Sequence, residues 1–188
     1  RGDKGQPRQP VDKLAAIRHT EMRAAAKLLG AELFLGGFDD GELADGPAQR
    51  LWLVETFRRF APTLVLAHSA GDYHADHRAA SALAEAASWA CASCGQKVKS
   101  PALTAPPALW WMDVIHMHGF APGFFVDVSE FRALKEKMLA CHRSQLARGG
   151  DRDFSPLVEL MRLQSEARGS QSGVRAAEAF HAHLAFKR

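Results

Sequence analysis

Apolar and polar positions along the chain alternate between two periods. Over Pro10 to Leu29, residues Leu14, Ile17, Met22, Ala25 and Leu28-Leu29 recur at near-helical spacing. A proline near the start and Gly30 at the end bracket that segment, so the pattern predicts a helix. Glu32 to Leu35 is a short apolar stretch that predicts a strand, followed by the turn-rich Gly36-Gly37-Phe38-Asp39-Asp40-Gly41. Ala48 to Phe60 is amphipathic at helical spacing, and Pro62 ends it. Thr63-Leu64-Val65-Leu66-Ala67 is continuously apolar, the mark of a strand buried on both faces of a parallel sheet. An Ala-rich helix is expected from about Arg78 to Trp89, then a loop from Gly95 to Pro107.

Strands are expected at Ala108 to Met112 and Phe124 to Val128. Ser129 suits the N-cap of a helix running to about Ala147. Pro156 to Arg168 has helical spacing, Gly169 to Gly173 reads as a turn, and Val174 to Phe186 fits a strand or a helix. Alternating helices and short strands define an α/β class with a largely parallel sheet. With no repeat, low-complexity tract or linker, residues 1–188 are expected to form a single domain.

The site of chemistry follows the buried run. Three histidines (His68, His74, His77) and two aspartates (Asp72, Asp76) occur between positions 68 and 77, directly after the apolar strand. In open parallel sheets, sites form beyond the carboxyl ends of strands. Imidazole and carboxylate together suit zinc and related divalent ions. His74-Ala75-Asp76-His77 brings two imidazoles and a carboxylate to a loop-to-helix junction, where one ring can hold metal while the other faces substrate. The plainer reading is a polar helix cap, for which Asp72 and His74 would suffice without metal.

Composition narrows the field. The chain is 47% hydrophobic and carries a net charge of +3, with its charges interspersed. No clustered basic stripe points to nucleic acid, and no apolar run is long enough to cross a bilayer. Three cysteines (Cys91, Cys94, Cys141) argue against a disulfide scaffold and fit a reducing, cytoplasmic setting. Cys91-Ala-Ser-Cys94 lacks the second ligand pair of a structural zinc site and closes a helix instead of opening one, so it reads as packed thiols. Trp110-Trp111 fits a core or a subunit contact, and homo-oligomerisation is left open. His116 and His118 alternate along the chain and are not expected to chelate together, while His181 and His183 are expected in solvent.

Pro62 to His68 followed by Asp72-Tyr73-His74-Ala75-Asp76-His77 resembles the Pro-x-x-Val-x-x-His and Asp-x-His-x-Asp-His signature of the LmbE-like (PIG-L) deacetylases. Other segments agree in order: Arg1-Gly2-Asp3-Lys4-Gly5, Arg18 with Glu21, Asp40-Gly41-Glu42-Leu43, Phe125 to Ser129, and His142-Arg143-Ser144-Gln145. The resemblance implies a Rossmann-like sheet flanked by helices. It also implies hydrolysis of an N-acetylglucosamine-type amide by a water activated on a divalent metal, most simply Zn2+. By the same resemblance His77 is the metal ligand, His74 supports the oxyanion or protonates the leaving amine, and Asp76 holds His74. Asp40, Asp72, His142 and Arg1 are the implied substrate contacts, and the partner is a small N-acetylated amino-sugar conjugate.

The family's His-Pro-Asp-Asp motif, which carries its other ligands and general base, does not occur in these 188 residues. The resemblance therefore implies a fold lacking its first strand-helix-strand, active only in a longer form. Two other readings stand beside it. One is a non-catalytic relative that binds sugar or a partner. The other is a different metal hydrolase such as a phosphoesterase, which would want more carboxylates nearby.

Overall fold

In the computed structural model, the described residues are 10–150 and 156–184. They fall into two compact units. One comprises Arg1–Gly41 with Phe125–Glu178, the other Glu42–Phe124 with Ala179–Arg188.

The second unit carries the cluster of histidines and aspartates, and its fold follows from one small-residue helix. Helix α2 (Pro47–Phe60) has proline in its first turn, and α3 (Ala75–Ala90) presents Ser81, Leu83, Ala84, Ala87 and Ser88 as its buried residues. Short side chains let neighbours approach α3 closely on two sides. On one side Ala87 and Cys91 pack with Val54 of α2, flanked by Leu53, Phe57, Val98 and Leu103. On the other, Ala84 meets Ala67 of β1 (Leu64–His68) and Leu109 of β2 (Ala108–Met112). β1 and β2 pair in parallel from Leu64↔Ala108 to His68↔Met112, with α3 as the crossover between them. The buried Arg58 guanidinium closes the far end of α3, donating to the carbonyls of Cys91, Ser93 and Ser100 at 3.0, 2.7 and 2.9 Å.

The first unit is mainly helical. It contains α1 (Val11–Leu29), a 3₁₀ turn at Ser129–Phe131, α4 (Arg132–Ala140), α5 (Arg143–Leu146) and α6 (Leu157–Ser172). Gly30 ends α1 in the left-handed region at φ 68°, donating to the carbonyls of Ala26 and Lys27. The buried Glu21 carboxylate accepts both the amide and the hydroxyl of Ser144 at 2.7 Å. The remaining strands are β3 (Phe124–Asp127) and β4 (Ala177–Ala182), and the strand order is β1-β2-β4-β3.

The α/β class is as expected, and the structure refines it. The sheet is mixed: β4 runs antiparallel to β2, with Trp110↔Ala182 and Met112↔Phe180 in register. The ambiguous C-terminal segment is thus a strand, and α6 continues through the expected turn at Gly169 as far as Ser172. Residues 32–35 join no ladder among the described residues; an apolar stretch becomes a strand only by pairing with a neighbouring one. Among the described residues β1 is covered by α3 on one face, with Leu64 37% and Leu66 48% exposed, and it pairs with β2. The helix expected from Ser129 to Ala147 breaks at His142 (φ −86°, ψ 55°), where the Glu21 carboxylate takes the Ser144 amide. Trp110 is half-buried among aromatic rings, edge-on to Phe124 at 4.6 Å and tilted against Phe180 at 5.7 Å. His183 is not in solvent: its ring lies edge-on to Trp111 at 5.4 Å, with Nε2 3.6 Å from Glu85.

Gly169 offers a direct test of packing. A Cβ on it would lie 2.7 Å from the Val174 carbonyl oxygen and 2.8 Å from the Ala176 nitrogen, backbone that cannot swing away. Gly169→Ala is therefore expected to destabilise the fold by about 1–3 kcal/mol. An unchanged urea midpoint would refute this packing.

Candidate metal and acyl-transfer site

The loop from Ser69 to His74 joins the carboxyl end of β1 to the first turn of α3, and local hydrogen bonds fix its course. Ser69 Oγ accepts from the Gly71 amide, and the Asp72 amide donates to the Ser69 carbonyl. Arg78, one turn into α3, donates to the carbonyls of Asp72 and Tyr73, each at 2.8 Å. His74 is the N-cap of α3.

Asp72 is the hinge of this site, with its side chain 6% exposed. Its Oδ1 accepts the His74 amide at 2.9 Å and sits 3.0 Å from His77 Nδ1. Against an ionised carboxylate, His77 Nδ1 must carry the proton. Neutral His77 then has its lone pair on Nε2, the tautomer that a carboxylate imposes on metal-binding imidazoles. His74 has the opposite arrangement. Its Nδ1 accepts the Asp76 amide at 3.2 Å, so neutral His74 carries its proton on Nε2 and is a donor there. The two rings lie 4.8 Å apart. One offers a lone pair and the other an N–H.

His68, at the end of β1, stacks on His77 with ring centroids 4.1 Å apart and planes within 9°. Burial, and then the charge it would share with His77, holds its pKa below the ordinary 6.5; nearby Asp72 opposes this and His74 adds to it. His68 Nδ1 stands 4.0 Å from Asp72 Oδ2. His68, Asp72 and His77 each offer one ligand atom, all within 4.8 Å of one another. Asp72 is engaged by His77 Nδ1 and the His74 amide, so it orients the ring, and imidazole held in this way suits a borderline divalent ion such as zinc.

The structure brings together His74, Asp76, His77 and Asp72 of the residues expected from sequence. The bond between Asp76 and His74 runs through the Asp76 backbone amide, while its carboxylate accepts the Leu43 amide at 3.3 Å. Asp72, expected against substrate, has its carboxylate turned inward on His77 and the His74 amide. Asp40 lies at a turn in the other unit with Gly41 at φ 74°, and His142 is the residue before α5 in that unit. Arg1 lies outside the described residues. His68 belongs to the cluster in sequence but carries no assigned role there; its place at a strand end beside the motif is the available signal. Tyr73, 64% exposed, has its ring 6.0 Å from both His74 and His77 and 5.7 Å from His116. Nothing in local spacing announces that last contact.

Residues 1–88 match the family model described as PIG-L, GlcNAc-PI de-N-acetylase. The conserved protein TT1542 from Thermus thermophilus is 30% identical across 100% of this chain and 80% of its own, with a TM-score of 0.81. The chain belongs to the PIG-L (LmbE-like) family. Two more distant structures share the fold. GalB, the 4-carboxy-2-hydroxymuconate hydratase from Pseudomonas putida, is 20% identical over 100% of this chain and 81% of its own, with a TM-score of 0.79. The N,N'-diacetylchitobiose deacetylase from Pyrococcus horikoshii, complexed with its inhibitor MPG, is 23% identical over 92% of this chain and 65% of its own, with a TM-score of 0.75.

Two outcomes test the site. Asp72→Asn, measured by competition with a chromophoric chelator, is expected to weaken zinc binding about 10- to 100-fold; unaltered affinity would remove Asp72 from it. In the metal-free protein, His68 is expected to titrate by NMR below 6.5. A depressed folded pKa means the unfolded chain binds the proton first. The stability His68 contributes is thus complete above the unfolded pKa and declines as pH falls through it toward the folded value. A midpoint above 6.5 would contradict the burial described.

Proposed function

We propose that the protein is a metal-dependent hydrolase that removes an acetyl group from an N-acetylglucosamine-type amide. The observation that carries this reading is what meets each Nδ1, the Asp72 carboxylate at His77 and the Asp76 amide at His74. His77 presents a lone pair and His74 an N–H, on rings 4.8 Å apart in a half-buried site. An amide needs both an electrophilic centre to polarise it and a donor for the oxygen that becomes negative.

His77 would hold the ion through Nε2, with Asp72 fixing the ring from behind through Nδ1 and His68 stacked on its face. A bound divalent ion supplies two effects here: it brings the pKa of a water toward neutrality and polarises the carbonyl. His74 Nε2–H stabilises the developing oxyanion without any proton moving on His74. If His74 is instead to protonate the leaving amine, it must first become an imidazolium and give up its bond to the Asp76 amide. The geometry therefore favours the oxyanion role. Asp76 acts on His74 through its amide and tethers the residues around Leu43 with its carboxylate.

The substrate class is taken from the family's name and from the deacetylase that shares the fold. Fold likeness to a hydratase at 20% identity is a reminder that a fold does not choose a reaction, so the reading rests on the site. Among the described residues no helix is long and apolar enough to cross a membrane. Cys91, Cys94 and Cys141 are thiols, which fits the reducing setting of the cytoplasm.

The test is amine release from methyl N-acetyl-β-glucosaminide by the protein expressed from its whole reading frame. Release is expected to stop with a chelator and return with zinc. His74→Ala is expected to lower kcat about 100- to 1000-fold while metal is retained. His77→Ala is expected to lose the metal itself. An intact amide, or release indifferent to chelation, would defeat the proposal.

A further inference from the structure

We infer that Tyr73 and His116 form a recognition wall beside His74 and His77, and that this wall reads the pyranose ring of the substrate instead of its acetamide. The inference rests on the deacetylase reading of the same site and names the part of the substrate that a second pair of residues engages.

The topology puts two loops together. β1 and β2 are adjacent and parallel, with His68 opposite Met112 at their carboxyl ends. The loop 69–74 and the segment from Asp113 onward therefore emerge side by side, the arrangement that builds sites in parallel sheets. From the first loop comes Tyr73, and from the second comes His116.

Both residues are positioned by built structure. The Tyr73 carbonyl is held by Arg78 at 2.8 Å, and the neighbouring Asp72 is buried. His116 rides on a tight turn closed by the Met117 amide on the Val114 carbonyl at 2.8 Å, with Val114 only 5% exposed. Met117 adopts φ 56° and Gly119 φ 72°. A side-chain-bearing residue such as Met rarely takes the left-handed region, and such backbone is kept where a site requires it. The two rings meet at 5.7 Å with a 60° tilt, so His116 flanks one side of the exposed phenol and the two form one aromatic surface.

The distances decide what the wall can touch. The Tyr73 ring stands 6.0 Å from each of the His74 and His77 rings. An acetamide placed between those imidazoles leaves the carbon bearing its nitrogen, and the ring to which that carbon belongs, within reach of the phenol. A pyranose presents flat patches of C–H that pack on an aromatic face, and hydroxyls that pair with a phenol or an imidazole. An acyclic amide has no such ring.

The test compares two probes, methyl N-acetyl-β-glucosaminide and N-acetylethanolamine, by isothermal titration and saturation-transfer NMR on the zinc-loaded protein, with amine release followed in parallel. Tyr73→Ala is expected to raise the Kd of the pyranoside about 5- to 10-fold, with Tyr73→Phe keeping most of the affinity. His116→Ala should cost a smaller factor of about 3, and both variants should keep the Kd of the acyclic amide within about twofold. Thermal midpoints and zinc affinity within error of the parent show that each variant is folded, and His116→Asn replaces His116→Ala if that variant melts early.

Equal losses for both probes, no loss for either, or no binding of the pyranoside by the parent protein would each overturn the inference. Tyr73-dependent binding of the pyranoside without amine release would uphold the wall and sink the deacetylase. Amine release indifferent to Tyr73 and His116 would do the reverse.

Discussion

A carboxylate withdrawn from water must find donors, and the site is organised around how Asp72 meets that demand. At 6% exposure it takes the His74 amide and the His77 imidazole on one oxygen, with His68 4.0 Å from the other. Each bond has a second consequence. Holding the His74 amide sets the start of α3, and holding His77 Nδ1 decides which nitrogen of that ring is free. An unpaired buried carboxylate would be costly, so the loop, the helix start and the tautomer are one solution to one problem. This makes Asp72 a positioning residue for chemistry that its own oxygens do not perform.

The helix that begins at this loop passes the constraint outward. α3 is built from alanine and serine on its buried side, which lets both the β1–β2 pair and α2 approach it. Its other end is closed by Arg58, whose five-donor guanidinium spans three carbonyls at once. A helix fixed by a carboxylate at one end and a guanidinium at the other has little freedom to slide. The spacing of His74 and His77 is correspondingly rigid.

Much of this was legible in the residues. The helical periods of α1, α2 and α6, the strand at Ala108 to Met112 and the chemical cluster from His68 to His77 are local properties, and local patterns report local structure. What stayed hidden depends on distant partners. The break at His142 is caused by Glu21, separated from Ser144 by 123 positions. The C-terminal strand exists because β2 offers it an edge, whereas residues 32–35 join no ladder among the described residues. The opposed tautomers of His74 and His77 follow from which group meets each Nδ1, which spacing does not encode. Tyr73 and His116 sit on separate loops, so only the parallel pairing of β1 with β2 brings them together.

The bond from Glu21 to Ser144 has a consequence for the order of folding. The two residues are 123 positions apart, so their contact closes a long loop, which is slow beside the formation of a single helix. α1 can therefore form before the partner of its buried carboxylate arrives. Until α5 reaches it, Glu21 must keep its water, and that face of α1 stays solvated while the chain assembles.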